Sequence, residues 1–199
     1  MGRRSRPSIL DRITRDCIKE ANMSKCPTIL SIIGWHADES PQEIVERKRD
    51  DVKKVGRTIW LYHSQKASIP IVQQFGQQYT NPTVVFLRGS AFPAGTSDQA
   101  RQMSDDRSRW DPLPAGIGKV TGRLPAGGLM IGELIQVDHD IDLWEYLEHP
   151  SLLPIKFRQG ASTACAVPTK EKPIDGMKSR YRRVVAIGKL IPPYGVFLR

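Results

Sequence analysis

The chain has 199 residues, with 30 lysines and arginines against 21 aspartates and glutamates, a formal net charge of +9. Hydrophobic residues make up 39% and charged residues 26%, the balance of a globular chain that buries a core rather than of a disordered one. No run of about 18 apolar residues occurs, so neither a membrane helix nor a membrane partner is expected.

The start, MGRRSRPSILDRITRD, has no apolar h-region and predicts no secretory signal. Cys17, Cys26 and Cys165 are an odd set without a C-x-x-C pair. That argues against a disulfide framework or a zinc ribbon and points to a reducing, cytoplasmic location.

Charge is unevenly spread. Residues 1–70 hold 14 basic and 9 acidic side chains, 71–150 hold 6 and 10, and 151–199 hold 10 and 2. Clustered cations attract polyanions, because each Lys or Arg near a phosphate releases condensed counterions. The C-terminal group, with Lys170, Lys172, Lys178, Arg180, Arg182 and Arg183, is one such cluster. A solvated, solubilising surface is the plain alternative.

In chain order, Ile9, Ile13 and Cys17 recur every four residues, and predict an amphipathic helix over 8–23. It belongs to a basic extension, 1–27, placed to dock on the core or on a partner. The run Thr28–Trp35 reads as a strand. Ser40-Pro41 with Glu43 spells a capping box and opens a helix. Residues 57–64 (RTIWLYHS) form a second strand, 68–75 a short helix and 83–87 a third strand.

Residues 89–128 carry many Gly, Pro, Ser, Asp and Arg and read as a long loop or mobile insert. Within it, G-I-G-K-V-T-G (116–122) lacks the strand and the Lys-Ser/Thr step of a phosphate loop, and so reads as a flexible loop. A strand follows over 128–137, then a short helix after Asp142 (LWEYLEH), a polar stretch over 159–180, a strong strand over 183–191 and a short one over 195–198. The sum predicts one α+β domain, 28–199, on a closed or nearly closed mixed sheet.

No histidine pair has metal-ligand spacing, and no nucleophile elbow occurs, so neither a metal nor another cofactor is expected. Nucleic-acid binding has better material, in cations for phosphate and aromatic planes for an exposed base. Trp35, His36, Trp60, Tyr62, His63 and Lys66 lie on or beside two strands, and Arg47, Lys48 and Arg49 follow on the helix. Period-two alternation sends Trp60, Tyr62 and Ser64 to one face of the second strand, and one face must be core.

The segments I-L-S-I-x-x-W (29–35), Glu46-Arg47 at a helix end, V-G-R-T-I-W-L-Y-H-S-Q-K-A (55–67), G-L-M-I-G-E-L-I-Q-V (128–137) and R-V-V-A-I-G-K-L-I-P-P-Y-G-V-F (183–197) come in an order that resembles the ASCH domain. That family is PUA-like, and Tyr62-His63-Ser64 is also similar to the sister EVE domain. The resemblance covers about 28–88 and 128–198. It implies a PUA-like mixed β pseudo-barrel with flanking helices and a cleft that accepts RNA or a modified nucleoside.

By position it points to Glu46, Arg47, Ser64 and Lys66. The family's helix carries a Lys where this chain has Glu43, which moves the expectation away from catalysis. The expected function is therefore binding of RNA or other nucleic acid, through Trp35, His36, Arg47, Tyr62, Ser64, Lys66, Lys178, Arg180, Arg182 and Arg183. The alternatives are an enzyme on a modified nucleoside or RNA using Glu46, His63 and Lys66, or a structural part of a ribonucleoprotein. In the last case a protein partner would be held through the N-terminal helix or the 89–128 insert.

Overall fold

The computed structural model describes residues 26–35, 39–64, 66–91, 98–157, 163–169 and 180–199, with the backbone alone at 34–35 and 90–91. The expected N-terminal helix lies outside them. The first half alternates: strand β1 (Thr28–Trp35), helix α1 (Pro41–Val55), strand β2 (Thr58–Tyr62), helix α2 (Ile69–Gln78), strand β3 (Thr83–Ala91). Short strands β4 (Asp98–Gln99), β5 (Gln102–Ser104), β6 (Asp111–Pro112) and β7 (Thr121–Gly122) follow. The long β8 (Ala126–Asp142), then β9 (Tyr146–Glu148), β10 (Leu153–Pro154), β11 (Thr163–Pro168) and the long β12 (Tyr181–Leu198) complete the order.

The result is an α+β fold on one large, mostly antiparallel sheet. Among the described strands only β1 and β3 pair in parallel, with Ile29 opposite Val84. The main path runs β10-β9-β11-β1-β3-β12-β8-β2, and β5 pairs with the far end of β12.

Trp60 on β2 and Phe86 on β3 show how that sheet is shaped. Two strands lie between theirs, so a flat sheet would hold them about 14 Å apart. Their ring centroids are 4.2 Å apart. The sheet therefore curls until its inner face meets itself, around Ile29, Val84, Leu129, Ile131 and Val185, with Val45 of α1 and Val72 and Phe75 of α2 packed in. The chain leaving β2 then reaches β11. The Ser64 hydroxyl donates to the Thr163 carbonyl at 2.7 Å, and the Lys66 ammonium meets Glu148 at 2.5 Å. Side chains make this junction; among the described residues no backbone ladder joins β2 to β11.

Two further apolar layers cover the outside. Ile141, Leu143, Tyr146 and Ile155 pack on the outer side chains of β1, β3, β11 and β12. Ala100, Val120 and Leu113 pack on Ile59, Met130, Val196 and Leu198 of β2, β8 and β12. The strand β2 is thus buried on both faces, which is why its alternation marked two sets with no clear polar side.

Several expectations are corrected. The described part of the 89–128 insert is a structured cover, because its apolar residues have a sheet face to bury. Residues 143–145 form only a 3₁₀ turn, with Asp142 accepting the Trp144 amide, before Tyr146 joins β9. The polar stretch 159–180 contains β11, whose Cys165 and Ala166 are fully buried. The two final strands are one, β12, bent by register shifts. Among the described residues no helix is long and apolar enough to cross a membrane.

Candidate nucleic-acid interface

The helix α1 starts as its sequence requires. Ser40 accepts the Glu43 amide at 3.3 Å, and the Glu43 carboxylate accepts the Ser40 amide at 2.7 Å, an arrangement that holds the Glu43 carboxyl below its usual range. Glu43 is a capping residue here. The helix ends in Gly56 at φ 73°, the left-handed cap that glycine adopts without cost.

The buried side of α1 is not wholly apolar. Ile44 and Val45 enter the core, but Lys48 and Asp51, on the same stripe, are each only 4% exposed. Buried charges must be paired and hydrogen-bonded, and these are. Asp51 accepts the Thr58 hydroxyl at 2.7 Å and the Gly118 amide at 2.8 Å, and lies 3.8 Å from the Lys48 ammonium. Burial, with the Arg47 guanidinium nearby, brings the Lys48 amine down to about 8 against the pull of Asp51 and Glu39.

This polar group seats the glycine loop of the insert on α1. The Lys119 carbonyl accepts from Arg47 at 2.8 Å and from Lys48 at 3.2 Å. Arg47 in turn forms two 2.7 Å bonds to Glu39. A side chain at Gly118 would put its Cβ 2.9 Å from Asp51 Oδ1, and one at Gly116 (φ +88°) 2.5 Å from Val55 Cγ1. Both glycines are therefore needed for the loop to lie this close. It runs along α1 from Val55 back to Arg47. The expectation of a flexible loop is corrected accordingly: its backbone at Gly118 and Lys119 is hydrogen-bonded to Asp51, Arg47 and Lys48.

Charge concentrates around this seat. Residues 47–57 and 116–123 contain eight basic and two acidic side chains, a local surplus of six. Lys53, Lys54, Arg57, Lys119 and Arg123 are exposed, and Arg49 is half-buried. Lys53 is shared with Asp50 at 2.9 Å. Cations near the C-terminal turns of α1 also suit the helix dipole.

The residues singled out from the sequence scatter. Arg47 is at this face, engaged with Glu39 and Lys119. Glu46 is exposed on α1, whereas Lys66 pairs with Glu148 of β9; the half-buried His63 and Lys66 follow β2, and no ion pair brings Glu46 to Lys66. Tyr62 is corrected as a nucleic-acid contact: it is 3% exposed and its hydroxyl donates to the Ala67 carbonyl at 2.7 Å, so the ring is sealed in the core and has no plane to offer a base. Ser64 and Lys66 hold the β2–β11 junction.

The C-terminal cations divide. Arg183 meets Asp138 at 2.5 Å and Asp140 at 3.6 Å. Arg180 donates to the Ile155 carbonyl at 2.8 Å, with its guanidinium carbon 5.3 Å from the centre of the Trp144 ring. Arg182 is exposed. The acidic stretch thus occupies part of this cluster. His36, Lys178 and the side chain of Trp35 lie outside the described residues.

Asp51 and Thr58 are absent from the residues singled out from the sequence, and Gly118 and Lys119 entered there only as part of a flexible loop. One signal was available: Ile44, Val45, Lys48 and Asp51 share one helical stripe. Comparison with known protein families, with curated proteins and with solved structures finds no match for this chain.

Proposed function

We propose that this chain is a nucleic-acid-binding module of PUA-like, ASCH-type build, with RNA as its ligand. The phosphate backbone is held along α1 and the 116–123 loop. The observation that carries this reading is the surplus of six positive charges on two segments locked together by Asp51, Lys48 and Arg47. Phosphate contacts of this kind release counterions and supply most sequence-independent affinity. The curled sheet, nearly closed at the Ser64–Thr163 and Lys66–Glu148 contacts, supports the pseudo-barrel part of the proposal.

Residues 47–57 and 116–123 include no aromatic side chain. This face therefore grips the backbone and leaves base contacts to other residues, for which the sequence offers Trp35 and His36. The triple variant Lys54→Ala, Arg57→Ala, Arg123→Ala tests the reading. All three side chains are exposed, so folding should be unaffected while RNA affinity falls for every sequence tried. Unchanged affinity in a folded triple variant would refute it.

A further inference from the structure

Asp51 is a buried acid within the cationic face formed by α1 and the 116–123 loop. An acid there cannot help a polyanion by contact. Its oxygens are taken by the Gly118 amide, the Thr58 hydroxyl and the Lys48 ammonium, so its surroundings assign it a different task. The loop it holds brings Lys119 and Arg123 beside the α1 cations, and the backbone of that loop is anchored to α1 by Asp51, Arg47 and Lys48.

We infer that Asp51 is a positioning residue for nucleic-acid binding, and that the composite face binds its ligand only while the 116–119 loop is seated on it. The inference rests on the nucleic-acid reading above and adds to it that the interface has two parts and a latch. It also sets two electrostatic arguments against each other. Asp51→Asn raises the net charge by one, which in bulk terms favours a polyanion. The latch requires the opposite, because an isosteric amide has one acceptor oxygen where the carboxylate has two, and it offers Lys48 no charge.

The test uses the full chain, a labelled mixed-sequence single-stranded RNA, and three variants. Asp51→Asn removes the latch. Gly118→Ala leaves the charge unchanged but sets a methyl 2.9 Å from Asp51 Oδ1, pushing an exposed loop off its seat; it also carries the test should Asp51→Asn fail to fold. Asp50→Asn makes the same charge change at an exposed neighbour bonded to Lys53.

Asp51→Asn and Gly118→Ala should bind about fivefold more weakly, the loss that follows if the loop is seated in roughly one molecule in five. Their log–log salt slopes should stay close to that of the natural chain, because the complex that forms still has the loop and its two cations seated. The 116–123 amides should exchange faster with solvent in both. Asp50→Asn should bind as tightly as the natural chain or tighter.

Asp51→Asn binding as tightly as Asp50→Asn, with its loop amides released, would overturn the latch and leave the nucleic-acid reading standing. Loop amides as protected in both latch variants as in the natural chain would overturn it too. If the natural chain itself shows no salt-sensitive RNA binding, the reading and the latch fall together.

Discussion

The Trp60 and Phe86 rings touch, with centroids 4.2 Å apart and planes tilted by 41°, although β8 and β12 lie between their strands. That contact is the clearest mark of a sheet curled upon itself, and Trp60 is only 7% exposed. Replacing it by alanine leaves a cavity where the two sides of the sheet meet. Trp60→Ala should lose about 3–5 kcal/mol of stability, read as a lower urea midpoint. A loss below about 1 kcal/mol would mean that the inner face does not depend on this pair.

Ser64 should matter for closure. Its hydroxyl donates to the Thr163 carbonyl and accepts the Ala67 amide at 3.2 Å, so Ser64→Ala strands one acceptor and one donor. The expected cost is about 1–3 kcal/mol, measured by denaturant unfolding, with RNA affinity intact in the folded protein. A selective loss of RNA affinity at unchanged stability would instead return Ser64 to the interface.

Alkaline pH separates the buried groups by sign. Burial raises the Cys165 thiol from 9.0 to about 12 and lifts the Tyr62 and Tyr146 phenols above their ordinary 10. The folded chain keeps these protons after the unfolded chain has lost them, so their contribution to stability fades as pH climbs past 9–10. Lys48 acts the other way. With its amine lowered from 10.5 to about 8, the unfolded chain binds the extra proton, and this contribution grows from about pH 8 to 10.5. Arg47, Glu39 and Asp51 face it. The stability of the natural chain relative to Lys48→Met should therefore improve across that window, as seen in denaturation midpoints at several pH values. A constant difference would contradict the buried, depressed amine.

Among the C-terminal cations, Arg180 should matter more to folding than Arg183. Arg180 bonds the Ile155 carbonyl and lies against Trp144, whereas the ion pairs of Arg183 are exposed and screened by solvent and salt. Arg180→Ala should cost about 1–2 kcal/mol, and Arg183→Ala less, by thermal or denaturant unfolding. Equal costs would show that the Trp144 contact contributes nothing.

The sequence made legible what neighbours in the chain decide. The capping box at Ser40 and Glu43 set the start of α1, and alternation in Thr58–Tyr62 marked β2. Features made between distant residues were hidden. Asp51 and Gly118 are 67 positions apart, and nothing in R-K-R-D-D tells a buried latch from a solvated charge run. The insert read as a loop because its apolar residues are isolated along the chain, and they pay off only against Ile59, Met130 and Leu198. Likewise β11, flanked by polar residues, is a strand because β1 and β9 pair with it. The same holds for the site: alternation grouped Trp60 and Tyr62 correctly, but the curl of the sheet decides that their face is inside.

In the proposed function, α1 and the 116–123 loop hold a phosphate backbone. The most direct test is the salt dependence of single-stranded RNA affinity for the natural chain and for the variant with Arg49, Lys54, Arg57, Lys119 and Arg123 all replaced by alanine. Five phosphate contacts predict a log–log slope of about −3.5 for the natural chain, at about 0.7 per contact, and a slope near zero for the variant. A flat response in the natural chain, or an equally steep one in the variant, would rule out phosphate binding at this face.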